Sequence, residues 1–254
     1  MDIKILVATH KPYWMPVDNI YLPVHVGKEG NENIGFIGDN TGDNISTKNA
    51  NYCELTGLYW VWKNLSADYI GLCHYRRYFT RSNPINCEKK KRAILSSNEW
   101  ERLLKNHPII VPDKRRYYIE TNRSHYNHSH YAKDLDITEK IIQEKYPQYI
   151  VAFTKVMNRT WAHMFNMFVM RNDYFNEYCT WLFDVLQDLE SRTDITKYNA
   201  VEARIYGYIS ELLLDVWLET KQYEYYEQNV AFLEAQNWLK KVGVFLKRKF
   251  IGTK

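Results

Sequence analysis

Two apolar periodicities run along this chain, and their order predicts an α/β domain. Ile3-Lys4-Ile5-Leu6-Val7-Ala8 is a short apolar run of strand length. Tyr69 to Cys73 is a second, and it leads straight into the polar, cationic burst His74-Tyr75-Arg76-Arg77-Tyr78-Phe79. Between the two runs, Leu55, Leu58, Tyr59 and Trp62 recur at helical spacing and predict an amphipathic helix over residues 51–64, with Lys63 suiting the negative end of its dipole. Strand, loop, helix, strand is the opening of an α/β domain, whose ligands sit outside the carboxyl ends of the strands.

The rest of the chain extends the pattern. Glycines and polar residues make residues 17–34 a loop and residues 38–46 a dense turn. Residues 80–93, with Pro84 and a lysine run, read as an exposed loop. Trp100, Leu103 and Leu104 give a short helix over 98–106, and prolines bound a strand over 108–112. Residues 113–130 are basic and aromatic and predict a loop folding over bound substrate. A helix follows over 137–146, with Asp136 as its N-cap, and residues 149–153 begin either a strand or a helix. The stretch 163–170 ends in a buried strand, with Asn166 as its polar exception. Two long helices are predicted over 174–189 and 198–219, and Arg204, Tyr208 and Glu211 share one face of the second. Residues 232–250 predict a basic amphipathic helix, which either lies on an anionic membrane surface or packs on the core with a solvated end. The division expected is one domain over 1–230 and this helix over 231–254.

Composition narrows the class. A net charge of +4, with no basic block tied to a reader motif, argues against nucleic acid as a partner. Cys53, Cys73, Cys87 and Cys179 form neither a zinc pattern nor a disulfide framework, which suits a reducing, cytoplasmic setting. No apolar run has the ~18 residues of a membrane span, and Asp2 and Lys4 interrupt any leader-like start.

The candidate chemistry gathers at strand ends. Arginine at a sheet edge suits an anionic ligand, because guanidinium bonds phosphate oxygens in pairs. Strand alternation would send Arg76 and Arg77 to opposite faces, leaving one for a ligand; structural ion pairs are the alternative use. After the first strand, Thr9-His10-Lys11-Pro12-Tyr13 is either a nucleotide edge, with Lys11 on phosphate and Tyr13 or Trp14 on a base, or a turn set by Pro12. Asp39 and Asp43 bind a metal or ribose hydroxyls, or serve only turn chemistry. His125, His128 and His130 do not match a zinc spacing.

Four runs together carry a resemblance: Val7 to Lys11, Gly42 to Ser46, Cys53 to Asn64, and His74 to Phe79. They resemble the bacterial capsular and O-antigen polysaccharide glycosyltransferases of the galactofuranosyltransferase type, as do Phe165 to Met170 and Arg204 to Glu211. The resemblance runs from residue 1 to about residue 220. It implies a GT-A-like, Rossmann-type nucleotide-sugar fold: a mixed central sheet flanked by helices, with further helices at the C-terminus. It implies inverting transfer from a UDP-sugar, UDP-galactofuranose first, to a surface polysaccharide or lipid-linked oligosaccharide at the inner face of the membrane. The usual Asp-x-Asp metal motif is replaced by His74-Tyr75-Arg76-Arg77, so no metal ligands are assigned and no cofactor is expected, with manganese or magnesium the alternative.

On this basis the donor site draws on Thr9, His10, Lys11 and Tyr13, on Asp39, Asp43 and Asn44, on His74, Arg76 and Arg77, and on Asn166 with Arg204. Tyr126 and His130 serve the acceptor. An inverting reaction needs a carboxylate base, and Asp134 and Glu211 are the candidates, with Asp39 or Asp43 in reserve. The alternatives are a pyranosyl donor on the same fold and a glycan- or nucleotide-binding module without catalysis.

Overall fold

The computed structural model describes residues 1–82, 84 and 86–234. The C-terminal amphipathic helix and its membrane contact fall mainly on residues 235–254, outside the described residues.

The chain opens with β1 (Ile3–Thr9), whose side chains are buried on both faces. Leu6 and Ala8 enter one hydrophobic core, and Ile3, Ile5 and Val7 enter the other. A strand covered on both sides reads as a continuous apolar run, which is why it is legible. Next come β2 (Tyr21–His25) and β3 (Ile37–Gly38), both parallel to β1, where a loop and a turn are expected. Pro23 hides β2 in the sequence. It is tolerated because β3 pairs only Val24 and His25, so at Pro23 the strand is still a sheet edge.

The helix expected over 51–64 is two pieces, α1 (Asn49–Tyr52) and α2 (Leu55–Asn64), broken at Cys53. Strand β4 (Tyr69–His74) pairs parallel with β1, and the chain then turns at Tyr75-Arg76 into β5 (Arg77–Phe79), antiparallel to β4. The turn removes the premise of simple alternation, and Arg76 and Arg77 both reach the same cleft. The expected loop over 80–93 contains α3 (Cys87–Ala93), whose N-cap Asn86 accepts from the amides of Glu88 and Lys89. Helix α4 (Ser97–Leu104) begins with a capping box of Ser96 and Glu99, and β6 (Ile109–Pro112) follows.

Residues 113–130 are more ordered than a loop. Strand β7 (Arg115–Arg116) is followed by α5 (Asn122–Ser129), capped by Thr121. Helix α6 (Ala132–Lys145) starts before Asp136, so Tyr131 is its N-cap and Asp134 lies in its first turn. Residues 150–158 resolve as a helix, α7 (Ile150–Asn158). Strand β8 (Trp161–Ala162) pairs with β7, and β9 (Phe168–Arg171) pairs antiparallel with β4 and β6.

Two long helices follow, α8 (Asn172–Arg192) and α9 (Ile205–Lys221). Two short strands then return to the sheet: β10 (Tyr226–Gln228) beside β6, and β11 (Val230–Phe232) antiparallel to β5. Phe232, expected to open the C-terminal helix, therefore ends a strand.

The main sheet runs β10-β6-β9-β4-β1-β2-β3, with β5 branching from the end of β4 and β11 pairing β5. Its β3-β2-β1-β4 portion is parallel, and helices α2 and α5 to α9 cover one face. This is the expected mixed α/β fold. The chain leaves β1 toward β2 but finds β4 on β1's other side. A crevice opens at such a switch point, outside the carboxyl ends of the strands. Among the described residues, no helix is long and apolar enough to cross a membrane.

Candidate active site

The crevice is a cleft of about 510 Å³. Its floor is Ala8 and His10 at the end of β1 and His74 to Arg77 at the turn after β4. One wall is the α1–α2 junction, with Asn49, Cys53 and Glu54, and the other is the start of α9, with Arg204, Tyr208 and Glu211.

The junction is held open by an unusual backbone. Cys53 has φ +53° and ψ −131°, a conformation that costs on the order of 1–3 kcal/mol for a residue with a side chain. Asn49 stitches the kink, donating through Nδ2 to the Cys53 carbonyl (2.7 Å) and to Thr56 Oγ1 (3.0 Å). Helix α9 comes so close that a Cβ on Gly207 would lie 3.3 Å from Cys53 Sγ. Arg204 Nε approaches the same sulfur at 3.0 Å.

A second strained pair sits behind the floor. Phe165 and Asn166 have φ of +79° and +54°. The Phe165 carbonyl accepts from His74 Nε2 at 2.6 Å, which fixes that nitrogen as the protonated one because a carbonyl only accepts. Asn166 is buried and donates to Glu54 Oε1 (2.7 Å) and to the Gly207 carbonyl (3.1 Å), while its Oδ1 accepts from Ser210 Oγ (2.9 Å). It is a clamp between Glu54 and α9 and does not line the cleft.

Charges of both signs share the space. Arg76, Arg77 and Arg204 line the cleft with His10 and His74, and so do Glu54 and Glu211. Burial, with Lys11 and Arg76 nearby, lowers the pKa of His10; burial is also the main cause of the lowering at His74, against the pull of Glu54. Both imidazoles are therefore neutral near pH 7. Arg77 lies over the rings of Phe165 (4.6 Å) and Phe232 (5.3 Å), has no carboxylate partner among the described residues, and leaves Nε without a hydrogen-bond acceptor. Arg76 pairs with Glu234 at 3.1 Å, and Lys11 lies 3.9 Å from the same carboxylate.

A smaller cavity of about 250 Å³ adjoins the cleft. Tyr208 and Glu211 line both, and Arg115, Tyr117, Asn122, His125, Tyr126 and His130 complete most of the second. Glu211 thus stands between two spaces. Burial first, and Glu54 second, push its carboxyl up to about 7, against Arg77 and Arg115. A carboxyl of that pKa is ionised about half the time at neutral pH and suits proton transfer there.

The other expected site residues lie elsewhere or act indirectly. Thr9 is buried, and its hydroxyl donates to the Lys11 carbonyl (2.7 Å), shaping the turn behind His10. Tyr13 packs edge-on against Tyr75 at 4.9 Å. Asp39 is fully buried and accepts from the amides of Gly27 and Lys28 and the hydroxyl of Ser46 (2.9, 3.0 and 2.5 Å), so it organises a loop. Asp43 accepts from Tyr59 (3.1 Å), and Asn44 closes its turn on the Gly42 carbonyl (3.0 Å). Asp134 is buried, accepts from the Tyr198 hydroxyl (2.6 Å) and lines neither cavity. The histidines of α5 bond to Glu120, with His125 Nδ1 at 3.1 Å and His128 Nδ1 at 2.8 Å, while His130 Nδ1 lies 3.0 Å from Glu202. Among the described residues, no three His, Cys, Asp or Glu side chains converge as metal ligands.

Sequence reasoning missed Cys53, Glu54, Asn49 and Arg115 as site residues. Only Cys53 and Glu54 gave any signal, as the start of the run from Cys53 to Asn64 that carries the resemblance.

A family model, described as a domain of unknown function (DUF4422), matches residues 4–222. The chain belongs to this family. No curated protein matches it. A solved structure, the apo form of the bifunctional glycosyltransferase WbbM, is 34% identical and superposes with a TM-score of 0.85 over 92% of this chain. The match spans 46% of WbbM, so the chain corresponds to about half of that protein.

Proposed function

We propose that this DUF4422 chain is a glycosyltransferase. It moves a sugar, galactofuranose in the preferred reading, from a UDP-sugar to a hydroxyl of a surface polysaccharide or lipid-linked glycan. The observation that carries the reading is the cleft itself: three guanidinium groups line it together with a carboxyl raised to about 7. The likeness to half of a bifunctional glycosyltransferase supports it.

The chemistry follows from charge. The donor's diphosphate lies against Arg76, Arg77 and Arg204. When the bond from C1 to the diphosphate oxygen breaks, its electron pair stays on that oxygen, and negative charge grows beside the guanidinium groups. Each charge-assisted hydrogen bond contributes roughly 1.5–3 kcal/mol. Arg77 is best suited, because no direct ion pair to a described carboxylate holds it, whereas Arg76 pairs with Glu234. On the far side of C1 the acceptor hydroxyl attacks and gives its proton to Glu211, with inversion. Glu211 is preferred over Asp134 because it faces both cavities and Asp134 faces neither.

Turnover of a panel of UDP-sugars with the cell-surface glycan acceptor, with EDTA and with manganese, tests this reading. Transfer that persists in EDTA and is greatest with UDP-galactofuranose is expected. Strict dependence on manganese would reject the guanidinium mechanism, and failure of every UDP-sugar to bind would reject the function.

A further inference from the structure

The turn between β7 and α5 holds two apolar side chains out in solvent. Tyr118 is 81% exposed and Ile119 is 67% exposed. Single exposed apolar residues are ordinary, but here the backbone enforces the exposure. Tyr118 has φ +60°, and the Ile119 amide donates to the Tyr117 carbonyl at 2.7 Å, closing a three-residue turn whose central residue takes the strained, positive-φ form. The turn is pinned on both sides. The Tyr117 amide donates to the Thr160 carbonyl (2.8 Å), and the Asn122 amide donates to the Arg159 carbonyl (2.7 Å). Tyr118 and Ile119 are thus a fixed projection.

Two cations stand behind it. Arg115 and Arg116 form β7, and both are exposed. The acids around them are engaged: Glu120 is buried against His125 and His128, and Glu227 pairs with Lys114 and lies 3.7 Å from His163 Nε2. Among the described residues neither arginine has an ion-pair partner, and Arg115 instead lies over the Tyr117 ring at 5.3 Å. Two cations running into an exposed tyrosine and isoleucine suit a lipid headgroup region: the tyrosine at the boundary, the aliphatic chain below it, and the guanidinium groups against anionic phosphates. A protein partner fits less well. One turn offers far less than the roughly 800 Å² that each side of a standard protein interface buries, and a convex tip needs a groove to receive it. A bilayer takes it as it is.

We propose that residues 115–119 are a docking tip for an anionic lipid bilayer. Tyr118 and Ile119 enter the headgroup boundary, and Arg115 and Arg116 meet lipid phosphates. The tip stands on exposure and charge and does not rest on the transferase reading. Arg115 and Tyr117 also line the smaller cavity, so a docked chain holds that cavity at the membrane surface, where a lipid-linked glycan would present its sugars.

Co-sedimentation of the full chain with vesicles of mixed phosphatidylglycerol and phosphatidylcholine, and with vesicles of phosphatidylcholine alone, tests the tip. Arg116→Glu, Tyr118→Asn and Ile119→Ser change exposed side chains that line neither cavity, and asparagine tolerates the positive φ at 118. Their melting temperatures should match that of the unmodified chain. The unmodified chain should bind the anionic vesicles and leave the neutral ones. Arg116→Glu should weaken that binding at least fivefold, since one cation at an anionic surface is worth about that factor. Tyr118→Asn with Ile119→Ser should weaken it about tenfold, the low end for returning one large apolar side chain to water. The basic C-terminal run is present in every variant, so any loss belongs to the tip. A nitrobenzoxadiazole dye placed by Ile119→Cys, in a Cys87→Ser background, should be quenched by nitroxide-labelled lipid in the anionic vesicles. The proposal is overturned if the unmodified chain binds neutral vesicles as well as anionic ones, if the variants bind as it does, or if the dye on bound chain stays unquenched. A chain that ignores both kinds of vesicle also overturns it and leaves a protein as the partner of this turn.

Discussion

Replacing Glu211 with Gln should do two opposite things, and the sign of the second is the sharper test. The Glu211 carboxyl is raised from 4.5 to about 7, chiefly by burial and then by Glu54. That rise corresponds to about 3 kcal/mol of penalty on the ionised form, a ceiling because water in the two cavities screens it. For a group whose pKa rises on folding, the stability present below the unfolded value is lost as pH climbs through the folded value. The unmodified protein should therefore lose up to about 3 kcal/mol at this residue between pH 4 and pH 8. Glu211→Gln carries no charge to bury. At pH 8 its melting temperature should exceed that of the unmodified chain by up to about 6–12 °C, at 2–4 °C per kcal/mol for a domain of this size. At pH 4 the two should coincide. Transfer should fall about 100-fold or more, with UDP affinity retained. In the unmodified enzyme, kcat/KM should rise with pH through an acid limb near 7. Thermal melts at pH 4 and pH 8, a transfer assay and calorimetry with UDP cover these outcomes. A Gln variant that melts lower at pH 8, or keeps turnover within tenfold, would refute the assignment.

Other substitutions probe the surroundings. Glu54→Gln removes the charge that is the second cause of the rise at Glu211, so the acid limb of kcat/KM should move below 7; an unmoved limb would separate the two carboxylates. Arg77→Ala should weaken UDP binding roughly 10- to 100-fold, the worth of a charge-assisted bond of about 1.5–3 kcal/mol, equally in EDTA and in manganese. Calorimetry showing no loss would move the diphosphate elsewhere. Asn166→Ala leaves Glu54, the Gly207 carbonyl and Ser210 without their clamp and should cost about 1–3 kcal/mol by urea unfolding; an unchanged midpoint would deny the clamp. Burial, helped by Glu54 and opposed by Arg204, pushes the Cys53 thiol up to about 11. Iodoacetamide at pH 7.5 should therefore label exposed Cys87 before Cys53 by mass spectrometry, and the reverse order would contradict the site's electrostatics.

Local periodicity alone determined the frame of this protein. β1, β4, β9, α8 and α9 are legible because each buries a regular set of apolar side chains, and that regularity survives in the order of residues. The shared face of Arg204, Tyr208 and Glu211 was legible for the same reason, since one helix sets their spacing. Elements that draw their stability from distant partners left little trace. Strand β2 carries a proline, α5 is mostly polar, and β10 and β11 are three residues each, held by β6 and β5. The choice between Asp134 and Glu211 as the base was likewise undecidable along the chain, because both are acids on amphipathic helices. Tertiary structure separates the two: it surrounds Asp134 with protein and a tyrosine hydroxyl and sets Glu211 between two cavities, which is why the proposed mechanism uses Glu211. Glu54 joined the site only through Asn166, 112 residues away. Period records which face of an element is buried; which charges share a cavity depends on contacts that close long loops, and no local pattern carries those.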